Sequence, residues 1–348
     1  MNRPLAVAAI GFWHVHAGDY ARAVQEHPGT TLVAVWDDDN QRGLAAAAQF
    51  GVEFVADLGE LLARDGLDAV TVTTATGQHR EVMLRAIRAG KHIFTEKVLA
   101  PTSEEAERIA AADDAHLALA VSLPRLYDPY TVAIERTLDE GTLGEPTYSR
   151  VRLAHDGWVA GWLPERFGDP EAAIGGAFTD LGCHPAYLTR LFHRAEPSAI
   201  SAVYGSITVR QVEDNAVVTA EFPGGRLGVF EASVVQGPGD FSIELRGTRG
   251  ALTYGDGRSL RLNTGDGWRE LPPPATRPGR SASGCSTSTT GHAPTTTWTT
   301  RSRSRASSSP RTRPPAPGAR SRSFRRPPDK RPRCLLSPVP HPFLRRAL

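Results

Sequence analysis

Cysteine is scarce in this 348-residue chain, where only Cys183, Cys285 and Cys334 occur. Their spacing fits no metal-binding pattern, and an odd count argues against a disulfide framework. Long hydrophobic runs are absent too, since no stretch of eighteen apolar residues occurs, and the amino terminus leads into an apolar strand without a signal peptide. We therefore expect a cytoplasmic protein with no membrane span, no disulfide and no metal.

Acidic residues are almost missing from the last seventy positions. Residues 279–348 contain fifteen Lys and Arg but one acid, Asp329, so they carry a net charge of +14, whereas residues 1–278 carry −12. The tail is rich in Ser, Thr, Arg and Pro and lacks periodicity, which is typical of disorder. A native tail of this kind could bind nucleic acid or anionic surfaces.

We interpret residues 279–348 as a disordered frameshift product. Reading the codons one base over turns Ser into Leu, Val, Ile or Phe, and residues 301–315 then become an amphipathic helix. No nucleic-acid partner is expected unless the tail is genuine. Peptide mass spectrometry of the native carboxyl terminus would contradict this interpretation if it returned the Arg/Ser-rich sequence.

Short apolar segments alternate with amphipathic ones over the first 120 residues. Residues 5–10, 31–36, 69–73, 92–95 and 117–121 have the length and composition of strands, and residues 17–26, 41–50, 78–89 and 103–114 have helical periodicity. Such alternation predicts a doubly wound parallel sheet, the Rossmann type of α/β fold. We assign residues 1–122 to this domain.

The turn after the first strand is where a Rossmann domain binds a dinucleotide's pyrophosphate. Here the turn keeps Gly11 but places Trp13 and His16 where glycines are usual. Asp37 ends the second strand, roughly where an acid binds the adenosine ribose, and Asp38 and Asp39 follow. Three acids repel a 2′-phosphate, so NAD is favoured over NADP. The same acids also fit a solvated loop that caps the next helix.

A carboxylate and an imidazole lie four residues apart in the middle of the chain. On a helix, Asp180 and His184 project from one face, one turn apart, so that the carboxylate can orient the imidazole. Lys97 follows a predicted strand, and the pKa values of lysine and histidine can both be tuned by burial. Lys97, Asp180 and His184 are therefore the predicted catalytic residues, although Asp-x-x-x-His also fits a capped helix start.

Residues 70–74, 89–97 and 176–184, together with His79, resemble the Gfo/Idh/MocA family of oxidoreductases, named for glucose-fructose oxidoreductase and inositol dehydrogenase. The resemblance covers residues 5 to about 275. It implies a Rossmann domain followed by an α/β domain whose open, mostly antiparallel sheet carries the substrate site. It also implies a homo-oligomer, a Lys97 close to the nicotinamide, and His184 as general base, alone or with Lys97.

The family likeness and the phosphate turn together define the expected cofactor site. The residues expected to bind NAD are Gly11, Phe12, Trp13, His14, Asp37, Thr74, His79, Glu96 and Lys97. Family members commonly have proline where this chain has Val98. Because a non-proline cis peptide costs roughly 3 to 4 kcal/mol, we expect the Lys97–Val98 bond to be trans, or strained for function.

The second domain, residues 123–278, reads as strands separated by turns. Residues 148–154, 200–209, 216–222, 227–235, 241–246 and 251–254 are the predicted strands of an antiparallel sheet. A loop rich in aromatic and polar groups follows the first of them. The residues expected to face a carbohydrate-like substrate are His155, Trp158, Trp162, Arg125 and Tyr127. Tryptophans in such a loop equally well anchor it to the core.

These patterns predict an enzyme that transfers hydride between NAD and a sugar, polyol or related hydroxy compound. The base removes the hydroxyl proton while hydride leaves the same carbon, and a cationic Lys97 stabilises the alkoxide. Two other functions stay open at this point. One is a non-catalytic dinucleotide sensor on the same fold, and the other is an NAD-dependent glycosidase.

Overall fold

The computed structural model describes residues 3–112, 117–238, 240–255 and 257–272. The predicted disordered and frameshifted tail, residues 279–348, lies outside them, as does the end of the predicted helix 103–114. Within the described ranges, no helix is long and apolar enough to cross a membrane. A cytoplasmic location stays a prediction.

Six parallel strands form the amino-terminal sheet, in the spatial order β3-β2-β1-β4-β5-β6. The strands are Leu5–Ile10 (β1), Thr30–Trp36 (β2), Glu53–Phe54 (β3), Ala69–Val72 (β4), His92–Thr95 (β5) and Leu119–Val121 (β6). The helices are Ala17–Glu26 (α1), Asn40–Phe50 (α2), Leu58–Leu62 (α3), His79–Arg88 (α4) and Ser103–Ala112 (α5). The strand order reverses between β1 and β4, which is where such sheets bind ligands.

Strand β1 shows why the domain is doubly wound. Val7 and Ala9 pack with buried residues of α1 and α2, whereas Ala8 and Ile10 pack with those of α3 and α4. Successive side chains of a strand point to opposite faces, so a strand that is apolar throughout needs a helical layer on both sides. The predicted Rossmann sheet is confirmed.

Two helices and one large sheet build the described part of the second domain. The helices are Pro129–Asp139 (α6) and Cys183–His193 (α7), and the strands are Pro146–Ala154 (β7), Ala199–Gly205 (β8), Asn215–Phe222 (β9), Arg226–Ser233 (β10), Asp240–Gly247 (β11), Ala251–Gly255 (β12), Arg258–Asn263 (β13) and Arg269–Glu270 (β14). The strands form one sheet in the order β14-β13-β12-β11-β7-β10-β9-β8. Only β7 and β10 pair in parallel, so the mostly antiparallel sheet is also confirmed.

Helices α6 and α7 cover one face of this second sheet. Val151, Ile243 and Leu245 on that face are fully buried against Leu188 and Phe192 of α7. The opposite face carries Arg150, whose guanidinium makes two hydrogen bonds to Glu231 on the neighbouring strand, of 3.0 and 2.8 Å. One face is therefore core, and the other is a charged and partly apolar open surface.

The predicted strand 200–209 is too long, because β8 ends at Gly205. Beyond it, the carboxylate of Asp214 accepts hydrogen bonds from the backbone N–H groups of Ile207 and Thr208 and from the Thr208 hydroxyl, each at 2.8 Å. These bonds fold the backbone into a loop, so the β-branched composition of the segment does not make it a strand. Here the hydrogen bonds to a buried carboxylate outweigh the β-propensity of the segment.

The phosphate turn depends on Gly11, and this gives a stability prediction. Gly11 has a φ of +83°, and a Cβ there would lie 2.6 Å from Thr74 Cγ2 and 2.7 Å from the Thr74 backbone. Gly11→Ala should therefore lower the free energy of unfolding by about 2 kcal/mol or more. Gly18→Ala is the control, since it has helical geometry and open space around it, and should stabilise α1 by up to about 1 kcal/mol. Equal free energies of unfolding in urea for the two variants would contradict the role of Gly11.

Candidate active site

Lys97 lies just beyond the carboxyl end of β5, and its ammonium group bonds to the second domain. Its Nζ donates to the Asp180 backbone carbonyl at 2.7 Å and also to the Asp180 carboxylate. The lysine side chain is only 5% exposed. Burial alone would lower the pKa of Lys97, but the carboxylates of Asp180 and Glu96 outweigh it and raise the pKa. Lys97 is therefore a fixed cation.

Asp180 does not orient His184, so that part of the sequence interpretation is wrong. Asp180 lies in a π-helical turn, Phe178–Gly182, which leads into α7, and such a turn does not stack residues four apart as a regular α-helix does. Its carboxylate is drawn to the Lys97 ammonium instead. The imidazole of His184 is held by Tyr187, whose hydroxyl lies 2.8 Å from Nδ1.

His184 is buried among charged groups that keep it neutral. Burial and the nearby cations of Lys97 and Arg125 lower its pKa far below the ordinary value, against the opposing effect of Asp180. A neutral imidazole can accept a proton at neutral pH, whereas the ammonium of Lys97 cannot. The three predicted catalytic residues therefore come together, with one fixed cation, one carboxylate and one neutral base.

Glu213 anchors the turn that carries Asp180. Its carboxylate accepts hydrogen bonds from the N–H groups of Gly176 and Phe178, each at 2.9 Å, and its backbone carbonyl accepts one from Ala177 at 2.9 Å. A Cβ on Gly176 would lie only 1.8 Å from that carbonyl oxygen. The glycine is therefore required for the close approach that fixes the start of the turn.

A buried polar cluster surrounds Glu96. Tyr20 donates a short hydrogen bond to its carboxylate, and the Lys97 ammonium lies 3.9 Å away. The ring nitrogens of His14 and His16 lie 3.9 and 4.0 Å from the same carboxylate. Ligand atoms of His14, His16 and Glu96 thus lie within 4.8 Å of one another, as a metal site would need. The Lys97 ammonium, 3.9 Å from this carboxylate, repels a metal cation there.

The phosphate turn is packed against the second domain. The Trp13 ring, 5% exposed, lies 4.5 Å from the ring of Phe167, centroid to centroid. Arg166 Nε donates to the Trp13 carbonyl at 2.6 Å. Within the described ranges, no carboxylate pairs with this half-buried guanidinium, and burial together with nearby Arg42 lowers its pKa. An unpaired cation beside a phosphate turn is suited to an anion.

Asp37 is buried directly after β2, at the position where a Rossmann domain has its ribose-binding acid. Its carboxylate accepts hydrogen bonds from Phe12 N at 2.6 Å and Asp39 N at 2.8 Å, and from two nitrogens of Arg42 at 3.0 and 2.6 Å. Arg42 also pairs with Asp38 at 2.6 Å. Asp39 caps α2, so the capping explanation holds for Asp39 and not for Asp37.

His79 contacts the segments that follow β4 and β5, and the second of these segments carries Lys97. Its Nδ1 lies 2.8 Å from the carbonyl of Val98 and its Nε2 lies 3.2 Å from the carbonyl of Thr74. Thr74 is buried, and its hydroxyl has no hydrogen-bond partner among the residues that the structure describes. The Lys97–Val98 peptide is cis, so of the two expected alternatives the trans bond is wrong.

The five expected substrate residues differ in their surroundings. Trp158 is buried and lines a cavity beside Lys97, with the Arg210 guanidinium 4.6 Å from its ring. His155 is partly buried beneath Trp162, which is 52% exposed and donates from Nε1 to Asp156 at 3.1 Å. The Arg125 guanidinium stacks on Phe241 near His184, whereas Tyr127 is 55% exposed. His155 also lies near the predicted catalytic residues, since the charges of Asp180 and Lys97 act on its pKa, which burial lowers. All five roles stay predictions.

Sequence reasoning missed three residues of this site. Arg166 and Glu213 act from loops of the second domain, where no periodicity or motif marks them. Tyr187 could have been found, because it lies three residues after His184 on one helix and therefore on the same face.

Comparison with known proteins follows the same two-domain division. Residues 5–122 match the oxidoreductase family with an NAD-binding Rossmann fold, and residues 131–253 match the GFO/IDH/MocA C-terminal domain. Similar proteins include 1,5-anhydro-D-fructose reductase of Ensifer adhaerens, 30% identical over 70% of this chain and 76% of the relative. The scyllo-inositol 2-dehydrogenase (NAD(+)) of Bacillus subtilis (strain 168) is 28% identical over 72% of each chain.

Solved structures share the fold over most of the described chain. GenD2 from gentamicin A biosynthesis, in complex with NAD, gives a TM-score of 0.68 at 28% identity and covers 78% of this chain and 81% of its own. An oxidoreductase domain protein from Kribbella flavida gives 0.69 at 26% identity, over 78% and 80%. With both of its domains matched by the family models, the chain belongs to the Gfo/Idh/MocA family of NAD-binding oxidoreductases.

Proposed function

We propose that this protein is an NAD-dependent dehydrogenase of a sugar, polyol or related hydroxy compound. The observation that carries the proposal is the contact between Lys97 and Asp180, which brings a buried cation next to the neutral base His184. A binding module has no need of a cation and a neutral base side by side. The arrangement therefore favours turnover over a non-catalytic dinucleotide sensor.

Each catalytic residue has a separate task. The Lys97 ammonium stabilises the alkoxide that forms as the substrate hydroxyl loses its proton. His184 accepts that proton at Nε2, since Nδ1 is held by Tyr187. Asp180 fixes the ammonium and keeps it charged. A bound nicotinamide would supply the hydride acceptor or donor for the substrate carbon.

The residues around the phosphate turn fit a dinucleotide. Gly11 adopts the positive φ of a tight turn at the start of α1, whose amino terminus favours an anion. Arg166 brings an unpaired positive charge to the turn and compensates for the lost glycines. Asp37 and Asp38 place negative charge where NADP carries its 2′-phosphate, which supports NAD.

The substrate class rests on the relatives and on the groups near His184. Curated relatives are named for anhydrofructose and inositol, both of them polyhydroxylated rings. Arg125 on Phe241 and the indole of Trp158 would offer hydrogen bonds and an apolar face to such a ring. An NAD-dependent glycosidase would need the same residues, and product analysis separates it from a dehydrogenase.

Lys97→Met tests the proposal. Loss of the cation should lower kcat for polyol oxidation by at least about a thousandfold, while NADH affinity stays within about threefold of the wild-type value. Lys91→Met is the matched control, since that lysine lies just before β5 and donates to backbone carbonyls of the first domain, those of Leu67 at 2.9 Å and Arg64 at 3.5 Å. Turnover should be measured on a panel of sugars and polyols by absorbance of NADH.

Because Asp180 loses its partner in Lys97→Met, the melting temperature of each variant is measured as well. Lys97→Arg restores the charge and should recover stability but not the full rate, as a guanidinium does not reproduce the geometry of an ammonium. Full turnover by folded Lys97→Met protein would contradict the proposed role.

We also propose that the protein is a homo-oligomer through the open face of the second sheet. Val203 on β8, Val217 on β9 and Leu227 on β10 expose 73, 46 and 49% of their surface there, more apolar area than a free sheet face ordinarily leaves in water. A double variant, Val203→Lys with Leu227→Lys, should run at half or less of the wild-type mass in light scattering. A wild-type monomer would contradict this part.

A further inference from the structure

Tyr187 contacts the base of this site. Tyr187 and His184 lie three residues apart on α7, so their side chains share one face of the helix. The phenol oxygen lies 2.8 Å from His184 Nδ1, and the two rings meet edge to face with centroids 5.5 Å apart. His184 is 7% exposed. Among the described residues, no other group makes a hydrogen bond to this imidazole.

The residue expected to hold the imidazole, Asp180, pairs with Lys97 instead. Asp180 receives two hydrogen bonds from the Lys97 ammonium, and its nearest histidine is His14, at 3.8 Å. A histidine that accepts a proton at one nitrogen needs a fixed partner at the other, since that partner sets the tautomer and the ring orientation. In this chain a neutral hydroxyl occupies the place that a carboxylate takes in a Ser-His-Asp arrangement.

We propose that Tyr187 is the positioning residue of His184, and that its hydroxyl holds Nδ1 while Nε2 exchanges a proton with the substrate. This inference rests on the proposed function. The hydroxyl suits both states of the base. The neutral imidazole that can accept a proton at Nε2 carries its own proton on Nδ1, so the Tyr187 oxygen accepts from Nδ1–H both before and after the imidazolium forms. Burial raises the pKa of Tyr187, so the phenol keeps its own proton in both states.

A phenol and a carboxylate would have different effects on the base. A carboxylate stabilises the imidazolium and raises its pKa, whereas a neutral phenol does so only weakly. The other charged groups facing His184 are Lys97 beyond β5, Arg125 from the turn before α6, Asp180 from the π-helical turn and His16 at the start of α1. Burial, Lys97 and Arg125 disfavour the charged form and Asp180 favours it. His184 is therefore neutral at pH 7. The acid limb of the pH profile of kcat/KM lies below the pH range in which histidine ordinarily titrates.

Tyr187→Phe tests the role of the hydroxyl with the ring kept in place. We expect kcat to fall about tenfold, with the Kd of NADH unchanged. Tyr254→Phe is the matched control, since Tyr254 packs in the same apolar cluster, stacked on Tyr130 with centroids 4.1 Å apart, on a different element from His184. Its kcat should equal that of the wild type. Equal kcat for the wild type, Tyr187→Phe and Tyr254→Phe would overturn the proposal.

Tyr187→Glu gives a readout that a purely structural role would not move. A carboxylate at this position should raise the pKa of His184, so the acid limb of kcat/KM should move to higher pH by about one unit. In Tyr187→Phe the acid limb of kcat/KM should stay at the wild-type pH or move to lower pH, because the imidazolium of His184 loses a hydrogen bond. An acid limb at the same pH in all three proteins would overturn the proposal.

A measurement without turnover separates this inference from the proposed function. Nitrogen NMR of histidine-labelled full-length protein reports which ring nitrogen carries the proton, and the spectrum of His184→Asn assigns the signal. Tyr187→Phe should change the tautomer populations of His184, and Tyr254→Phe should leave them as in the wild type. Unchanged populations in Tyr187→Phe would overturn the positioning role. If the wild type turned over no polyol, the proposed function would fail while this spectrum still decided the role of Tyr187.

Discussion

The buried ion pair between Lys97 and Asp180 is the interaction on which the site depends, because its two partners come from different domains. Lys97 is presented by the end of β5 and Asp180 by the turn before α7. Each charge is buried at a cost that the other must offset, so loss of either leaves an uncompensated charge in the interior. The pair therefore does two things at once. It joins the two domains at the proposed active site, and it fixes the ammonium at one point.

The surroundings of this pair give different roles to Lys97 and His184, two groups that can both hold a proton. Carboxylates keep Lys97 charged, while burial and two neighbouring cations keep His184 neutral. The same logic assigns acid and base roles in other enzymes whose titratable groups are pushed apart by their environments. Glu213 supports the arrangement from a distant loop, because it holds the backbone that leads to Asp180.

Much of the fold could be predicted because the local periodicity of apolar residues indicates it. The strands β1, β2 and β4 to β12 and the helices α1, α2, α4 and α5 follow apolar patterns of period 2 or 3.6, whereas α3, β3 and β14 are too short to show one. Strand β13 was not predicted. Lys97, Asp180 and His184 were recognisable as a set. Their pairing was not, because the four-residue spacing assumes a regular helix and the attraction of Asp180 to a lysine 83 residues away is a tertiary effect. Arg166 was hidden for a similar reason, since its importance lies only in what it faces.

The central claim is that these residues form an NAD-linked site, and cofactor binding tests it most directly. Purified protein of verified fold should be titrated with NADH and with NADPH, following energy transfer from the tryptophans to the nicotinamide. The account predicts saturable binding with a clear preference for NADH, because Asp37, Asp38 and Asp39 outnumber Arg42, with which they pair, and their net negative charge repels a 2′-phosphate. No saturable binding by folded protein, or a preference for NADPH, would contradict it.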